Sequence, residues 1–326
     1  MQPLSRSFVV VLSLFAVPLL CSPAGARAGS YPDKPVRWII PFPPGGSNDI
    51  LGRYLGGKLT DRIGQQVVID NRGGANGIIG ADLAANSPAD GYTLLMVSTS
   101  WVMNAAVRPL PYDVERSFDP ISMIGSSPNS IVVNPKGPYQ SVRDLVAAAK
   151  EKPASITYAS TGIGGFNHFG GELFKKIAGI DMVMVPYKGG GPAMIDVMAG
   201  NVPVMFSSVT QALPHVRTGR LKLLAVGGAR RSEVLPDVPT VSESGYPGYE
   251  VSVWWGIAAP AGVPRIVSDR LRGEFTAILK DPETLKRLAA EAAEPQIVTP
   301  VEFRKIIHDD VQKWREVAKS AGIQVK

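Results

Sequence analysis

Short runs of β-branched residues alternate with longer segments of helical apolar spacing from residue 31 to residue 226. Runs of the first kind at 36–40, 67–69 and 93–97 predict strands, and the segment 48–63 between the first two predicts a helix. An order of strand, helix and strand is typical of a mostly parallel sheet covered by helices on both faces. We therefore expect an α/β fold.

A second series of the same kind follows a proline-containing loop at 109–120. Its predicted strands lie at 131–133, 156–159, 182–185, 204–206 and 221–226, and its predicted helices at 141–150, 165–177, 192–199 and 212–218. Because a chain of about 300 residues exceeds a typical single core, two lobes are expected. We place the first lobe at 29–130 and the second at 131–250.

The last segment, 251–326, differs from both series. Helices are predicted at 264–280 and 300–321. The second of them carries one apolar stripe, at Phe303, Ile307, Val311, Trp314, Ala318 and Ala321. An amphipathic helix has to dock on another element, and we expect the chain to return across 254–260 to the first lobe.

The first 28 residues have the layout of a secretory signal that is cleaved off. Arg6 precedes an apolar run at 8–20, and the small residues at 22–28 contain Ala-x-Ala sites. The run is shorter than the about 20 residues that span a membrane, which disfavours a membrane anchor. We expect the mature chain in the periplasm. Cys21, the only cysteine, lies inside the signal, which excludes thiol catalysis and disulfides in the mature chain.

Charge and motif content exclude several classes of function. The formal net charge is +6, but no basic block is longer than two residues, whereas nucleic-acid binders gather basic residues on one face. His168, His215 and His308 stand far apart in the sequence, so we expect no metal. Neither a Gly-x-Ser-x-Gly elbow nor a Walker A sequence occurs, and the glycines at 74–80 lack the spacing of a dinucleotide loop. No cofactor is expected.

Two glycine loops occupy equivalent places in the two series, each between a strand and a helix. The first covers 41–49 and the second 158–168. Loops at the carboxyl ends of strands line the ligand crevice of open α/β sheets, and the start of the next helix favours an anion. Gly45 and Gly46 allow close backbone approach to a ligand. The alternative for the first loop is a plain turn in which Ser47 caps the helix.

Other polar residues follow strands at 74–77, 98–100, 185–191 and 206–208. Their hydroxyls and amides could orient a ligand, although such residues more often cap helices or form turns. His168 at the start of the second helix has three open interpretations: a ligand contact, a metal ligand or a helix surface residue.

Six segments occur in an order that resembles a known family. They are Pro41-Phe42-x-Pro-Gly-Gly-Ser-x-Asp, Asn71-Arg72-Gly-Gly-Ala-Asn-Gly, Gly91-Tyr92-Thr93-Leu94, Thr161-Gly-Ile-Gly-Gly-x-x-His168, Pro186-Tyr187-Lys188-Gly and Trp255-Gly256-x-x-Ala-Pro-Ala-Gly262. Together they resemble the Bug family, the extracytoplasmic receptors of tripartite tricarboxylate transporters. The resemblance covers the whole mature chain. It implies a two-lobed, type II periplasmic-binding-protein fold that holds a small carboxylate between its lobes.

The resemblance and the strand-end positions together predict a ligand-binding set. Its members are Phe42, Gly45, Gly46, Ser47, Asp49, Ala75, Asn76, Thr99, Ser100, Thr161, Gly162, Gly164, Gly165, Phe166, His168, Tyr187 and Ser207. Two aromatic residues beyond this set, Trp254 and Trp255, could add apolar walls or belong to the core. The sequence departs from the family at Gly165, where Ser is common, and at Pro203, where an acidic residue is common.

The resemblance implies a receptor that captures an anion by closing its two lobes and catalyses nothing. Its expected partners are the ligand and the membrane subunits of a transporter, and we expect it to be a monomer. Two alternatives remain. One is an exported hydrolase on the same α/β scaffold, because a fold does not fix a function. The other is a ligand-binding partner of a membrane sensor.

Overall fold

The computed structural model describes residues 31–323, so the signal predicted at 1–28 lies outside the described residues. Three parallel strands open the fold: β1 (Val36–Ile40) lies between β2 (Val67–Asn71) and β3 (Thr93–Ser98). The helices α1 (Ser47–Ile63), α2 (Ile78–Ala85) and α3 (Thr99–Val107) follow them in turn. The strands and the helix predicted at 36–40, 48–63, 67–69 and 93–97 match β1, α1, β2 and β3, whereas α3, which begins directly at the end of β3 without a loop, was not predicted.

A second set of parallel strands repeats the arrangement. Here β5 (Thr157–Ser160) lies between β6 (Val183–Pro186) and β7 (Val204–Ser208). Four helices and a further strand accompany them: α4 (Val142–Glu151), α5 (Phe166–Ala178), α6 (Gly190–Ala199), α7 (Val209–Arg217) and β8 (Lys222–Val226). All of these elements were predicted, some with ends shifted by a few residues.

Two long strands join the halves. The start of β4 (Phe118–Val133) pairs with β9 (Ser252–Pro260), and its end pairs with β7 and β8. Because β9 also pairs antiparallel with β3, the sheet is mixed rather than mostly parallel. Only 131–133 of β4 was predicted, since Pro120, Gly125 and Pro128 interrupt the earlier part of the strand and resemble loop signals. Position 130, the predicted lobe boundary, lies inside β4.

The C-terminal segment contains α8 (Arg265–Lys280), α9 (Pro282–Ala290), the short strand β10 (Glu294–Pro295) and α10 (Pro300–Ala321). The helix α9 was not predicted. A capping box of Thr299 and Glu302 starts α10. The predicted apolar stripe of α10 is buried from Phe303 to Ala318, as an amphipathic helix requires. Among residues 31–323, none of the helices combines the length and apolar character that crossing a membrane requires.

The helix α10 packs on both halves of the sheet. The ring of Trp254 on β9 lies 5.6 Å from that of Phe303, and its Nε1 donates to Asp310 at 2.6 Å. The Trp314 ring lies 5.3 Å from Phe169 of α5. Trp255 is fully buried. Both tryptophans of β9 therefore belong to the core, which is one of the two interpretations that the sequence left open.

Candidate functional site

Five helices begin around one small cavity. It encloses about 40 Å³ and lies between the first turns of α1, α3, α5, α6 and α7. Its lining residues are Phe42, Gly46, Ser47, Asn48, Ser98, Ser100, Thr161, Phe166, Asn167, Gly190, Ser208, Gln211 and Val253. The first half of the sheet and the second half both contribute to the walls.

The backbone at these helix starts supplies hydrogen-bond donors. In α1, α3, α5 and α6 the N-cap residue supplies no side-chain acceptor, although the first N–H of α5, that of Phe166, donates to Ser100 Oγ. The first N–H groups of a helix have no partner inside the helix, and the helix dipole places a partial positive charge there. None of the lining side chains carries a formal charge. The cavity is therefore suited to an anion that is held by dipoles rather than by a salt bridge.

The first glycine loop is held from behind by a buried carboxylate. Asp49 accepts hydrogen bonds from the N–H of Gly45 and from Asn71 Nδ2, both at 3.0 Å, and pairs with Arg53 at 2.9 Å. Asn71 Nδ2 also donates to the carbonyl of Phe42 at 3.0 Å. Asp49 does not line the cavity, so its observed role is to shape the loop that does.

Gly46, not Ser47, caps α1. The backbone of Gly46 is extended, with φ −85° and ψ 167°, and Ser47 is the first helical residue. The part of the turn alternative in which Ser47 caps the helix is therefore wrong. Both residues line the cavity instead.

The second glycine loop is braced in the same manner. The N–H of Gly164 donates to His168 Nδ1 at 3.2 Å, and burial lowers the pKa of His168 below its usual value. A neutral imidazole can accept this bond, whereas an imidazolium cannot. His168 does not line the cavity. Within the described residues no group of side chains is arranged to hold a metal ion.

The two halves of the protein meet across the cavity through hydrogen bonds. The Thr161 hydroxyl lies 3.0 Å from Asn76 Oδ1, and the N–H of Phe166 donates to Ser100 Oγ at 3.1 Å. A Cβ on Gly165 would lie 2.5 Å from Thr161 Oγ1 and 2.7 Å from Asn76 Oδ1. This close approach accounts for the glycine at this position.

Three predicted side chains find partners elsewhere. Thr99 Oγ1 accepts the Trp254 N–H at 2.8 Å and is fully buried. Ser207 is also fully buried and lies beside Gln211 Oε1 at 3.2 Å. The Tyr187 hydroxyl donates to Asp196 at 2.7 Å, and burial together with this bond raises the pKa of Tyr187 to about 12.

The predicted set thus divides into three groups. Phe42, Gly46, Ser47, Ser100, Thr161 and Phe166 line the cavity. Ala75, Asn76, Gly162 and Tyr187 line a neighbouring space that also reaches Thr161. Gly45, Asp49, Thr99, Gly164, Gly165, His168 and Ser207 lie behind these surfaces.

Sequence reasoning missed several lining residues, of which Gln211 is the most informative. Its Oε1 lies beside Ser207, but its Nε2 is a buried donor without a partner among the described residues. Asn48 Oδ1 is a second buried lining atom without a partner among the described residues, but it is an acceptor. The signal for Gln211 was present, because Ser208-x-x-Gln211 has the spacing of a capping box, and the Gln211 N–H does donate to Ser208 Oγ. The apolar spacing alone predicts α7 only from residue 212.

The sequence matches the family model described as "Tripartite tricarboxylate transporter family receptor" over residues 51–323. The chain belongs to this family. It is 38% identical to protein BugT of Bordetella pertussis, with 93% of this chain and 94% of BugT covered. These matches confirm the Bug-family resemblance. Because the family consists of receptors, the chain is a solute-binding receptor rather than an enzyme, and the hydrolase alternative is not supported.

Two solved structures of similar receptors confirm the two-lobed α/β fold. The periplasmic binding protein BugD superposes with a TM-score of 0.87 at 32% identity, covering 91% of this chain and 100% of BugD. The R. palustris protein Rpa4515 with adipate superposes with a TM-score of 0.88 at 33% identity, covering 90% of this chain and 99% of that protein.

Proposed function

We propose that this receptor captures a small organic acid in the periplasm, with one carboxylate held in the cavity between its two glycine loops. The observation that carries this proposal is the convergence of five helix N-termini on a cavity without charged walls. Unpartnered N–H groups and helix dipoles together favour a carboxylate over a neutral or cationic group. The adipate bound to the similar protein Rpa4515 supports the same class of ligand.

Capture requires the two lobes to move. The hydrogen bonds that join the two halves across the cavity hold it closed, and its lining residues Ser100, Thr161 and Phe166 are buried. We therefore infer that the loops separate to admit the ligand and then close on it. A lobe division at 29–130 and 131–250 with a return over 251–326 fits such a motion, since β4 and β9 are the strands that join the two halves.

In this proposal the membrane subunits of the transporter recognise the closed form of the receptor. A ligand that bridges the two loops binds the closed form better than the open one and shifts the population toward it. The partner in this proposal is the membrane part of a tripartite tricarboxylate transporter, and the receptor acts as a monomer. The family match supports this assignment of partners.

Carboxylates are expected to raise the melting temperature of the mature protein, and their amides to do so far less. A ligand that binds only the native state adds about 2.7 kcal/mol of stability at a hundredfold excess over its Kd. The measurement is a thermal-shift screen of mono- and dicarboxylates and aromatic acids, each paired with its neutral amide. A best ligand that is neutral or cationic would contradict the anion site. Conversion of the ligand to a product would contradict the receptor.

Export is expected to remove the first 28 residues. Expressed in a Gram-negative cell, the protein should appear in the periplasm with an N-terminus near Ala28 or Gly29, because the small residues before that point contain the Ala-x-Ala sites. Intact-mass measurement of the periplasmic fraction checks this. An uncleaved or lipidated N-terminus would show that residues 1–28 are an anchor.

A further inference from the structure

A second and larger space adjoins the cavity. It measures about 380 Å³, and Thr161 lines both. Unlike the cavity, this space has charged walls: Arg108 from the end of α3 and Lys188 from the loop after β6 both line it. The two cations come from opposite halves of the sheet.

Neither cation has a carboxylate partner among the described residues. Arg108 Nη2 donates to the backbone carbonyl of Ile163, while Arg108 Nε is buried and has no partner among those residues. Burial lowers the pKa of Arg108 from its usual value, which reflects a cation removed from water without a counter-ion. A nearby acid, Asp196, already accepts the hydroxyl of Tyr187 at 2.7 Å. The space therefore carries positive charge that no side chain described here neutralises.

We propose that Arg108 and Lys188 form a second anionic subsite, which makes the receptor selective for acids with a second carboxylate. The inference rests on the proposed function, because the first carboxylate is taken to lie in the cavity. The carbonyl of Ile163 holds the guanidinium through Nη2 at the wall of this space, where the planar cation can attract a carboxylate. Lys188 is exposed and adds a mobile point charge from the other lobe. A dicarboxylate thus contacts both lobes at both ends.

Paired ligands separate this subsite from the cavity. Isothermal titration with succinate and butyrate, glutarate and pentanoate, and adipate and hexanoate compares each diacid with a monoacid of the same length. In the wild-type protein the best diacid is expected to bind at least about 10-fold more tightly than its monoacid, the usual worth of a charged hydrogen bond. R108Q is expected to remove that preference and K188Q to reduce it. Both variants should leave monoacid affinity within about threefold of wild type, because neither residue lines the cavity.

Two further variants separate a direct contact with the second carboxylate from a purely structural role of Arg108. R108K retains the charge but not the planar donors, and it should keep part of the preference. R116Q makes the same kind of change as R108Q at an exposed arginine outside both spaces, and it should change nothing. If Arg108 only latches the lobes together through Ile163, R108Q would weaken monoacids and diacids equally, and the subsite would be wrong.

The proposed function and the subsite fail in different ways. If the wild-type protein binds each diacid and its monoacid with equal affinity, the subsite is overturned, but the proposal that the protein is a carboxylate receptor is not. An unchanged preference for diacids in both R108Q and K188Q would also overturn the subsite but not the carboxylate receptor. If none of the six acids binds but another acid of the thermal-shift screen does, the subsite is overturned and the cavity is not. If no acid of either set binds the wild-type protein, the carboxylate cavity itself is overturned, and the subsite with it.

Discussion

Replacing Gln211 with Glu is expected to weaken binding of the carboxylate ligand by about 100-fold or more, the combined effect of a lost charged hydrogen bond and a new repulsion. Gln211 Nε2 is a buried donor on the cavity wall with no partner among the described residues. Glu has the same shape, but it presents an oxygen and a negative charge in place of the donor. Titration calorimetry with the best acid from the thermal-shift screen measures the loss.

The fold should tolerate this substitution. Gln211 is the third residue of α7, where its N–H donates to Ser208 Oγ. Glu keeps this backbone bond, and a negative charge near a helix N-terminus is favourable. Q211L removes the donor without adding a charge, together with the Oε1 that accepts the Ser207 hydroxyl, and it is expected to cost about 10-fold. Q312E makes the same charge change on the exposed face of α10 and should leave the affinity unchanged. Full affinity in Q211E would show that the ligand does not meet this wall.

The fold was largely predictable because its strands and helices are regular. The β-branched runs and the apolar stripe from Phe303 to Ala318 are local patterns, and each element satisfies its own periodicity. The strand β4 escaped prediction because its Pro120, Gly125 and Pro128 are tolerated only through its partners. Gly125, for instance, pairs with Pro295 of β10 far along the chain. Pairing between distant segments leaves no trace in a local pattern.

Only the part of the site that follows from the order of strands and loops along the chain could be predicted from the sequence. Loops that follow strands meet at one edge of a sheet, so the two glycine loops could be placed beside the ligand. Which polar side chains turn inward depends on how five helices converge. Asp49 and His168 are residue types that often contact ligands. Here, however, the side chain of each accepts a hydrogen bond that holds a glycine loop in place. Gln211 escaped prediction because the apolar spacing places it in the loop before α7.

Replacing Gly46 with Val is expected to abolish ligand binding while leaving the protein folded. The backbone of Gly46 is extended, which suits a β-branched residue, and a Cβ there meets no atom within 4 Å. Loss of glycine at the N-cap of α1 should lower the free energy of unfolding by about 1 kcal/mol or less. Circular dichroism and the melting temperature of the unliganded protein check this part of the prediction.

The effect on binding should be far larger than the effect on stability. Gly46 lines a cavity of about 40 Å³, and a valine side chain would occupy the space in which backbone N–H groups meet the carboxylate. Steric exclusion together with loss of these charged hydrogen bonds predicts a drop in affinity of more than about 100-fold. G57V places the same side chain in open space on the exposed face of α1, so it controls for the added bulk and should bind normally. A folded G46V protein that retains its affinity would mean that the first glycine loop is only a turn. The five helix N-termini would then converge on a space that the ligand does not use.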